Sequence, residues 1–338
     1  MSRLANASVL GVLLGIAALS ASPCQAESTE LRISRSTGIG YLQIMVMEHQ
    51  RLIEKHAHAR GLGAVAVRWT TFVDATGSTS AMLSGNVDIV AGGLGSFVTL
   101  WERTRQTIGV KGIAALDSMP MLLVTRNPSV RDIRDIGTQD RIAVPGVKVS
   151  SQAATLQFAA AQAFGDDHWN RLDPLTVNLG HPTALQLLLQ GNNEVTTHFA
   201  SPPFQDFELR QPGIRTILNS YDVWGGPQTF ALVWTTSVFR DRNPRLYAAF
   251  FAALEEATHF INHRRHDAAA IYIEMASEAK ATSDDIVRIL ANPQIRFTLT
   301  PQNTAKFAAF KADKGLVAAK PGSWKDLFFP EVHKLPGS

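Results

Sequence analysis

Cysteine is almost missing from this chain: Cys24 is the only one in 338 residues. It lies at the end of an N-terminal stretch in which Arg3 is the only charge before Glu27, and residues 9–19 form a short apolar run. That run is too short to cross a bilayer. Small residues follow it, up to Cys24-Gln25-Ala26, which is the layout of a cleaved secretory signal peptide over residues 1–26. No stop-transfer charges flank the run, which argues against a membrane anchor. Pro23 stands where a lipid-modified cysteine normally has Gly or Ala before it. A cut after Ala26 leaves a chain with no cysteine, and so with no disulfide, no cysteine-based zinc site and no cysteine nucleophile.

Charge is scarce too. Charged residues make up 18% of the chain and the net charge is +3, one fewer once Arg3 is removed. With no basic run, that balance excludes a nucleic-acid partner. The 45% hydrophobic fraction and the length suit a soluble globular protein large enough to form two lobes. Enzyme signatures are lacking as well. There is no Gly-x-Ser-x-Gly elbow, no His-Glu-x-x-His and no Walker Gly-Lys-Ser/Thr. Gly93-Leu94-Gly95 lacks the third glycine and the downstream acid of a dinucleotide fingerprint. His259, His263 and His266 share a helix face with Glu255, a spacing open to a metal. The expectation is a solvated polar face beside Arg264 and Arg265. Asp88, between apolar residues, is expected to be paired with a local backbone or helix cap rather than catalytic. No cofactor is expected.

What is present is alternation. Residues 31–34, 65–69 and 87–90 have strand patterns. Residues 41–56 place Leu42, Met45, Val46, His49, Leu52 and Ile53 on one helical face. Further strands are predicted at 121–125, 141–144, 175–179, 194–199, 214–218 and 230–235, with helices at 151–163 and 182–190, the latter stopped by Gly191. Strands alternating with helices argue for an α/β fold with parallel sheets covered on both faces. From residue 244 onward strand signals fade, and 244–261, 268–275 and 284–290 are predicted helices. Pro244 sits early in its helix, where proline is tolerated. They form a helical C-terminal layer, expected on the first lobe.

Several strands end in loops rich in Gly, Ser or Thr that open helices. These are Ser36-Thr37-Gly38-Ile39-Gly40, Thr76-Gly77-Ser78, Gly93-Leu94-Gly95-Ser96 and the segment from Pro145 through Lys148 to Ser150 and Ser151. Ligands of open α/β sheets bind at the carboxyl ends of the strands, where helix N-termini present unpaired N–H groups and partial positive charge. One such loop alone is an ordinary helix cap. Their repetition at equivalent places points to an anion site. The candidate ligand-binding residues are therefore Gly38, Gly40, Tyr41, Thr76, Gly77, Ser78, Gly93, Leu94, Gly95, Ser96, Lys148, Ser150, Ser151 and Gln152. Ser201, Phe204 and Trp224, beside Pro202-Pro203 and Gly225-Gly226, are added as walls for an organic group. No catalytic or metal residue is predicted.

The order of these motifs resembles the nitrate/sulfonate/taurine family of periplasmic substrate-binding proteins. The stretch from Ala81-Met82-Leu83-Ser84-Gly85 through Val87-Asp88-Ile89 is similar to that family's AL-x-SG-x-VD-I signature. Gly92-Gly93-Leu94 follows it, Ser36 to Tyr41 precedes it, and Ala184-Leu185 to Gly191 looks like a second copy of the helix ending in Gly. The likeness runs from about residue 30 to residue 275. It implies a two-lobed (type II) binding-protein fold with two crossover strands and ligand held between the lobes. An ABC permease with its ATPase would be the partner, and the protein would be a periplasmic monomer. On that basis the first lobe is expected at 29–122 plus 232–338, the second at 123–231, and the hinge strands at 121–125 and 230–235. The ligand is expected to be a small anion: a sulfonate, taurine, nitrate or a carboxylate. Asn193-Glu194-Val195-Thr196 stands where the family has Val-Asp-Ala, and Ser201 to Phe204 also differs, so the ligand is left open. An exported enzyme or a sensor on the same fold, acting on a pyrimidine or aromatic acid, is the alternative. The sequence shows no acid–base pair for the enzyme and no fused signalling domain for the sensor.

Overall fold

Leu31 and Ile33 are fully buried and alternate with the half-buried Arg32, so the first strand packs through one pleat face. It belongs to a computed structural model that describes residues 26–72, 75–191, 194–276 and 281–338. The signal peptide expected over 1–26 lies outside these residues apart from Ala26, and so does Asn193. Twelve strands are present among the described residues: β1 (Glu30–Arg35), β2 (Ala66–Thr71), β3 (Ile89–Gly93), β4 (Val110–Ala115), β5 (Asp117–Ser118), β6 (Leu122–Thr125), β7 (Ile142–Val144), β8 (Thr176–Asn178), β9 (Thr197–Ala200), β10 (Arg215–Asn219), β11 (Ala231–Thr236) and β12 (Arg296–Phe297).

These strands form two five-stranded sheets, one per lobe, in the orders β2-β1-β3-β11-β4 and β10-β6-β9-β7-β8. The sheets are not purely parallel, as the alternating pattern suggested. β11 runs antiparallel to both β3 and β4, and β6 runs antiparallel to both β9 and β10. Each reversed strand is the one that enters its sheet directly after the chain has passed between lobes, so it arrives from the opposite end. β5 and β12 make a separate antiparallel pair.

The passages between lobes are not the strands expected to be hinges. Residues 122–125 are fully paired within the second sheet, and 231–236 form an inner strand of the first. The chain crosses in the segments just before them, around 116–121 and 225–230. There Ser118 Oγ donates to Gln228 O at 3.0 Å and lies 2.8 Å from the Tyr221 hydroxyl, and Ser118 bridges Thr229.

Three local features depart from the sequence pattern. The helix expected over 41–56 is broken into Leu42–His49 and Leu52–Ala59 by Arg51, whose φ of 52° is left-handed. Leu52 and Ile53 stay buried across the break, so the apolar spacing gave no sign of it. β4 has no counterpart in the sequence pattern, because Val-Lys-Gly-Ile-Ala-Ala is poor in strand formers. The helix carrying His259 and His263 ends at His263, and a new one begins at Arg265 after Arg264 at φ −127°. His266 thus leaves the shared face, while His259 and His263 stack with centroids 4.0 Å apart. Among the described residues no group of three His, Cys, Asp or Glu is placed to hold a metal ion. Asp88 is held by Arg32 through two hydrogen bonds from the guanidinium, at 2.6 and 3.0 Å.

In the C-terminal part, helix Pro244–His263 packs on Leu42–His49 and Leu52–Ala59 of the first lobe. Helix Thr304–Asp313 packs instead on the second lobe. Its Phe307 lies 5.1 Å from Trp224 and its Phe310 4.8 Å from Phe158, centroid to centroid. It therefore bridges the two lobes. No helix among the described residues is long and apolar enough to cross a membrane.

Candidate functional site

The carboxyl ends of β1, β2, β3, β7 and β8 converge on one cleft of about 260 Å³ between the lobes. The first lobe lines it with Arg35, Ser36, Thr37 and Tyr41 after β1, Thr71 and Phe72 after β2, Ala91 to Gly93 at the end of β3, Ser78, Ser96 and Phe230. The second lobe contributes Pro145, Ser150, Ser151 and Gln152 after β7, and Gly180, His181, Pro182 and Thr183 after β8. This is where a crossover sheet places the free ends of its helices.

Four helices begin at or near the cleft: Ala75–Leu83, Leu94–Thr104, Ser151–Phe164 and His181–Gln190. Leu94–Thr104 and His181–Gln190 are capped by Gly93 and Gly180, and neither has a side-chain cap. Ser150 caps Ser151–Phe164, accepting a hydrogen bond from the Ala153 N–H at 3.1 Å. Gly92 is required at the end of β3 because a Cβ there would lie 2.5 Å from the Trp234 ring.

Among the described residues no carboxylate lines the cleft, and Arg35 is its one formal cation. Arg35 is held in place by Glu48 and by donating to Thr71 Oγ1 at 2.8 Å. A second positive charge lies behind the wall. Lys311 is almost fully buried and donates to Gly95 O at 3.2 Å and Thr99 Oγ1 at 2.9 Å in the first turns of Leu94–Thr104. Burial pushes its ammonium pKa down to about 8. Tyr41, Phe72 and Phe230 give the cleft an apolar side. Burial, and then the nearby Asp117, raise the Tyr41 hydroxyl far above its ordinary range, so it stays a protonated donor.

The lobes touch at the edges of this cleft. The Gly95 N–H donates to Ser151 Oγ at 3.1 Å, and the Ile39 N–H donates to Pro202 O at 3.2 Å. Glycine is needed at 95 because a Cβ would lie 2.5 Å from Val149 O.

Of the residues singled out in the sequence, Tyr41, Ser78, Gly93, Ser96, Ser150, Ser151 and Gln152 line the cleft together. The others do not. Gly38, at φ 101°, and Gly95 sit at the lobe contacts. Gly40 packs against Phe230 and Asp117, and Leu94 is in the core. Gly77 lies within a helix whose first turn also holds Thr76, a side chain outside those described. Lys148 is exposed, with a left-handed φ of 65°. Ser201 and Phe204 are buried behind His181, and Trp224 is buried against Phe158, its indole N–H donating to Thr155 Oγ1 at 3.0 Å.

Sequence reasoning missed Arg35 and His181. Both sit at positions of the type it was using, one closing a strand and one opening a helix. His181 is also the end of a buried polar row. Its Nδ1 lies 2.8 Å from His198 Nε2, and His198 Nδ1 lies 2.6 Å from Glu208 Oε1. Its Nε2 lies 3.2 Å from both Ser201 Oγ and Gln152 Nε2. Burial, then the neighbouring His198, lower the His181 pKa well below the usual imidazole value, so this ring is neutral.

The fold matches solved structures over most of its length. The alkanesulfonate-binding protein SsuA from Xanthomonas axonopodis pv. citri, bound to MOPS, aligns with a TM-score of 0.68 at 14% identity, over 90% of this chain and 97% of that one. The periplasmic aliphatic sulphonate binding protein SsuA from Escherichia coli aligns with a TM-score of 0.63 at 17% identity, over 90% of this chain and 92% of that one. A conserved Candida albicans gene product, described as defining a new family with the generic periplasmic binding protein fold, gives 0.62 at 12% identity, over 86% of this chain and 92% of that one. At such identities the likeness shows the fold, a two-lobed periplasmic-binding-protein architecture. No protein-family profile matches the sequence, and no curated protein is similar to it in sequence.

Proposed function

We propose that this protein is the extracytoplasmic substrate-binding component of an ABC-type importer and that it captures a small organic anion between its lobes. One observation carries the reading. Both lobes turn donors into a single cleft whose described lining contains Arg35 and no carboxylate. Hydroxyls come from Ser36, Thr37, Ser78 and Ser96 on one side and from Ser150, Ser151 and Thr183 on the other, with the uncapped ends of Leu94–Thr104 and His181–Gln190 beside them. Such a site favours negative charge and repels cations. Tyr41, Phe72 and Phe230 favour an anion with an apolar part, such as an alkanesulfonate or a small carboxylate, over nitrate. Two of the similar solved structures are sulfonate-binding proteins, which supports the same class. The low charge, the N-terminal signal-peptide pattern and the lobe contacts at the cleft's edge support export and a closing grip. A permease and its ATPase would be the partners, reading the closed form of a monomer. Ligand co-purifying with protein exported in its own host, identified by mass spectrometry, tests the reading. An organic anion is expected, and a cationic or metal ligand would overturn it.

A further inference from the structure

Glu208 and His198 are completely buried, and the second carboxyl oxygen of Glu208 has no hydrogen-bond partner. Among the described residues the only group bonded to this carboxyl is His198 Nδ1. The other charged groups near its helix do not neutralise it. Arg210 is paired with Asp285 at 2.9 Å, and Asp206 is itself an acid, its pKa pushed up to about 6 mainly by burial. The elements packed around the two histidines are β6, β7, helix Ser151–Phe164 and helix His181–Gln190. None carries a charged side chain within its span. Arg35 lies on the first-lobe side of the cleft, where it is bonded to Glu48 and Thr71.

A carboxylate left charged and alone in such a place is strongly destabilising. The row is neutral only if Glu208 and His198 hold one additional proton between them. Both placements of that proton have the same consequence. With Glu208 ionised and His198 cationic, His198 Nε2–H donates to His181 Nδ1. With Glu208 protonated, its O–H donates to His198 Nδ1 and the neutral ring again carries its proton on Nε2. In each case His181 Nδ1 accepts, and the neutral His181 ring bears its own proton on Nε2, the nitrogen 3.2 Å from the amide of Gln152, which lines the cleft. Only a bare, uncompensated carboxylate would reverse the direction.

We infer that the buried row Glu208–His198–His181 fixes His181 as an Nε2–H donor at the second-lobe wall, where it recognises an oxygen of the bound anion. His198 and Glu208 are positioning residues that set its tautomer. Ser201 Oγ, 3.2 Å from Nε2, then accepts rather than donates. Gln152 must turn its amide oxygen toward the ring, an exchange of two atoms of nearly the same shape that the hydrogen-bond network decides, and because the ring has a single Nε2–H a bound anion oxygen must displace that amide oxygen. The inference deepens the anion-binding reading by assigning it an imidazole N–H that discriminates against ligands offering donors.

Nitrogen-15 NMR of the full mature protein without ligand reads the tautomer directly. A pyrrole-type Nε2 and a pyridine-type Nδ1 on His181 are expected, and the opposite assignment overturns the proton row whether or not any anion binds. Methanesulfonate is then titrated, with calorimetry alongside. Binding accompanied by a shift of the His181 Nε2–H resonance supports the contact. Binding that leaves that resonance unmoved refutes it while sparing the anion site. If methanesulfonate and acetate both fail to bind, the anion-binding reading fails, taking the recognition role with it, and the tautomer result stands separately. His181→Gln, which keeps an N–H donor, should hold affinity within about threefold. His181→Leu, which removes it, should lose about tenfold. Equal loss in both variants contradicts the donor role, and if His181→Leu fails to fold, the wild-type titration decides.

Discussion

The backbone N–H of Gly95 in the first lobe donates to Ser151 Oγ in the second at 3.1 Å, across the edge of the cleft. A methyl group on residue 95 would sit 2.5 Å from Val149 O and 2.6 Å from the Ser150 carbonyl carbon, so this approach of the lobes needs glycine. Gly95→Ala should hold the lobes apart and weaken ligand binding about tenfold or more. Alanine favours the helix by about 1 kcal/mol, so loss of helix cannot explain the effect. Small-angle scattering at saturating ligand should show a larger radius of gyration for the variant than for the wild type. Equal radii and equal affinities would contradict the role of this contact.

Arg35 is the cation of the cleft, anchored by Glu48 and Thr71. Arg35→Gln keeps donors but removes the charge, and should weaken anion binding by about tenfold to a hundredfold, since charge-assisted hydrogen bonds contribute about 1.5–3 kcal/mol. The loss should shrink as salt is added if part of the attraction is long-ranged. Calorimetry at low and high ionic strength checks both statements.

Much of this site was legible before the fold was known, because its logic is local. A Gly- or Ser-rich turn after a strand and before a helix marks a helix N-terminus, and Ser78, Gly93, Ser96, Ser150, Ser151 and Gln152 were found that way. What was not legible depends on distance in sequence. Glu208 reaches the cleft only through His198 and His181, a row assembled from two helices and a strand. Trp224 looked like a pocket wall because glycines follow it, yet its partners Phe307 and Phe310 come from a helix about 80 residues later that crosses onto the second lobe. The reversed strands β6 and β11 were found as strands, but their direction follows from where the chain crosses, which apolar periodicity does not record.

Lys311 provides a stability test. Its folded pKa, about 8, lies below the ordinary lysine value of 10.5, so the unfolded chain keeps its proton to higher pH than the folded one. Below pH 8 both states are protonated and the cost of the buried charge is fully present, about 3 kcal/mol. That cost is relieved as pH rises from about 8 toward 10.5. Lys311→Met should therefore stabilise the protein at pH 7, with the gain shrinking through this window. Thr99 Oγ1 keeps a partner in Gly95 O at 3.1 Å. Urea unfolding of both proteins at pH 7 and pH 10 measures the difference, and a variant less stable at pH 7 would show that the ammonium's hydrogen bonds outweigh its burial.

Glu27, the first residue after the expected cleavage point, is not a loose end. Its carboxylate accepts from the Leu246 N–H at 2.8 Å and pairs with Arg245 at 2.9 Å, in the first turn of helix Pro244–His263. N-terminal sequencing of exported protein should begin at Glu27. Glu27→Ala should lower stability by about 1 kcal/mol through loss of this helix-end carboxylate.

A ligand-dependent melting curve decides whether the cleft holds a small organic anion. Alkanesulfonates, taurine, small carboxylates, nitrate, a neutral pyrimidine and matched organic cations would each be added to the mature protein and to Arg35→Gln. An organic anion at about 100 times its dissociation constant should stabilise the wild type by about 2.7 kcal/mol, and the same concentration should act much more weakly on the variant. A melt raised only by neutral or cationic compounds, or raised equally in both proteins by the anion, would show that the cleft is not an anion site built around Arg35.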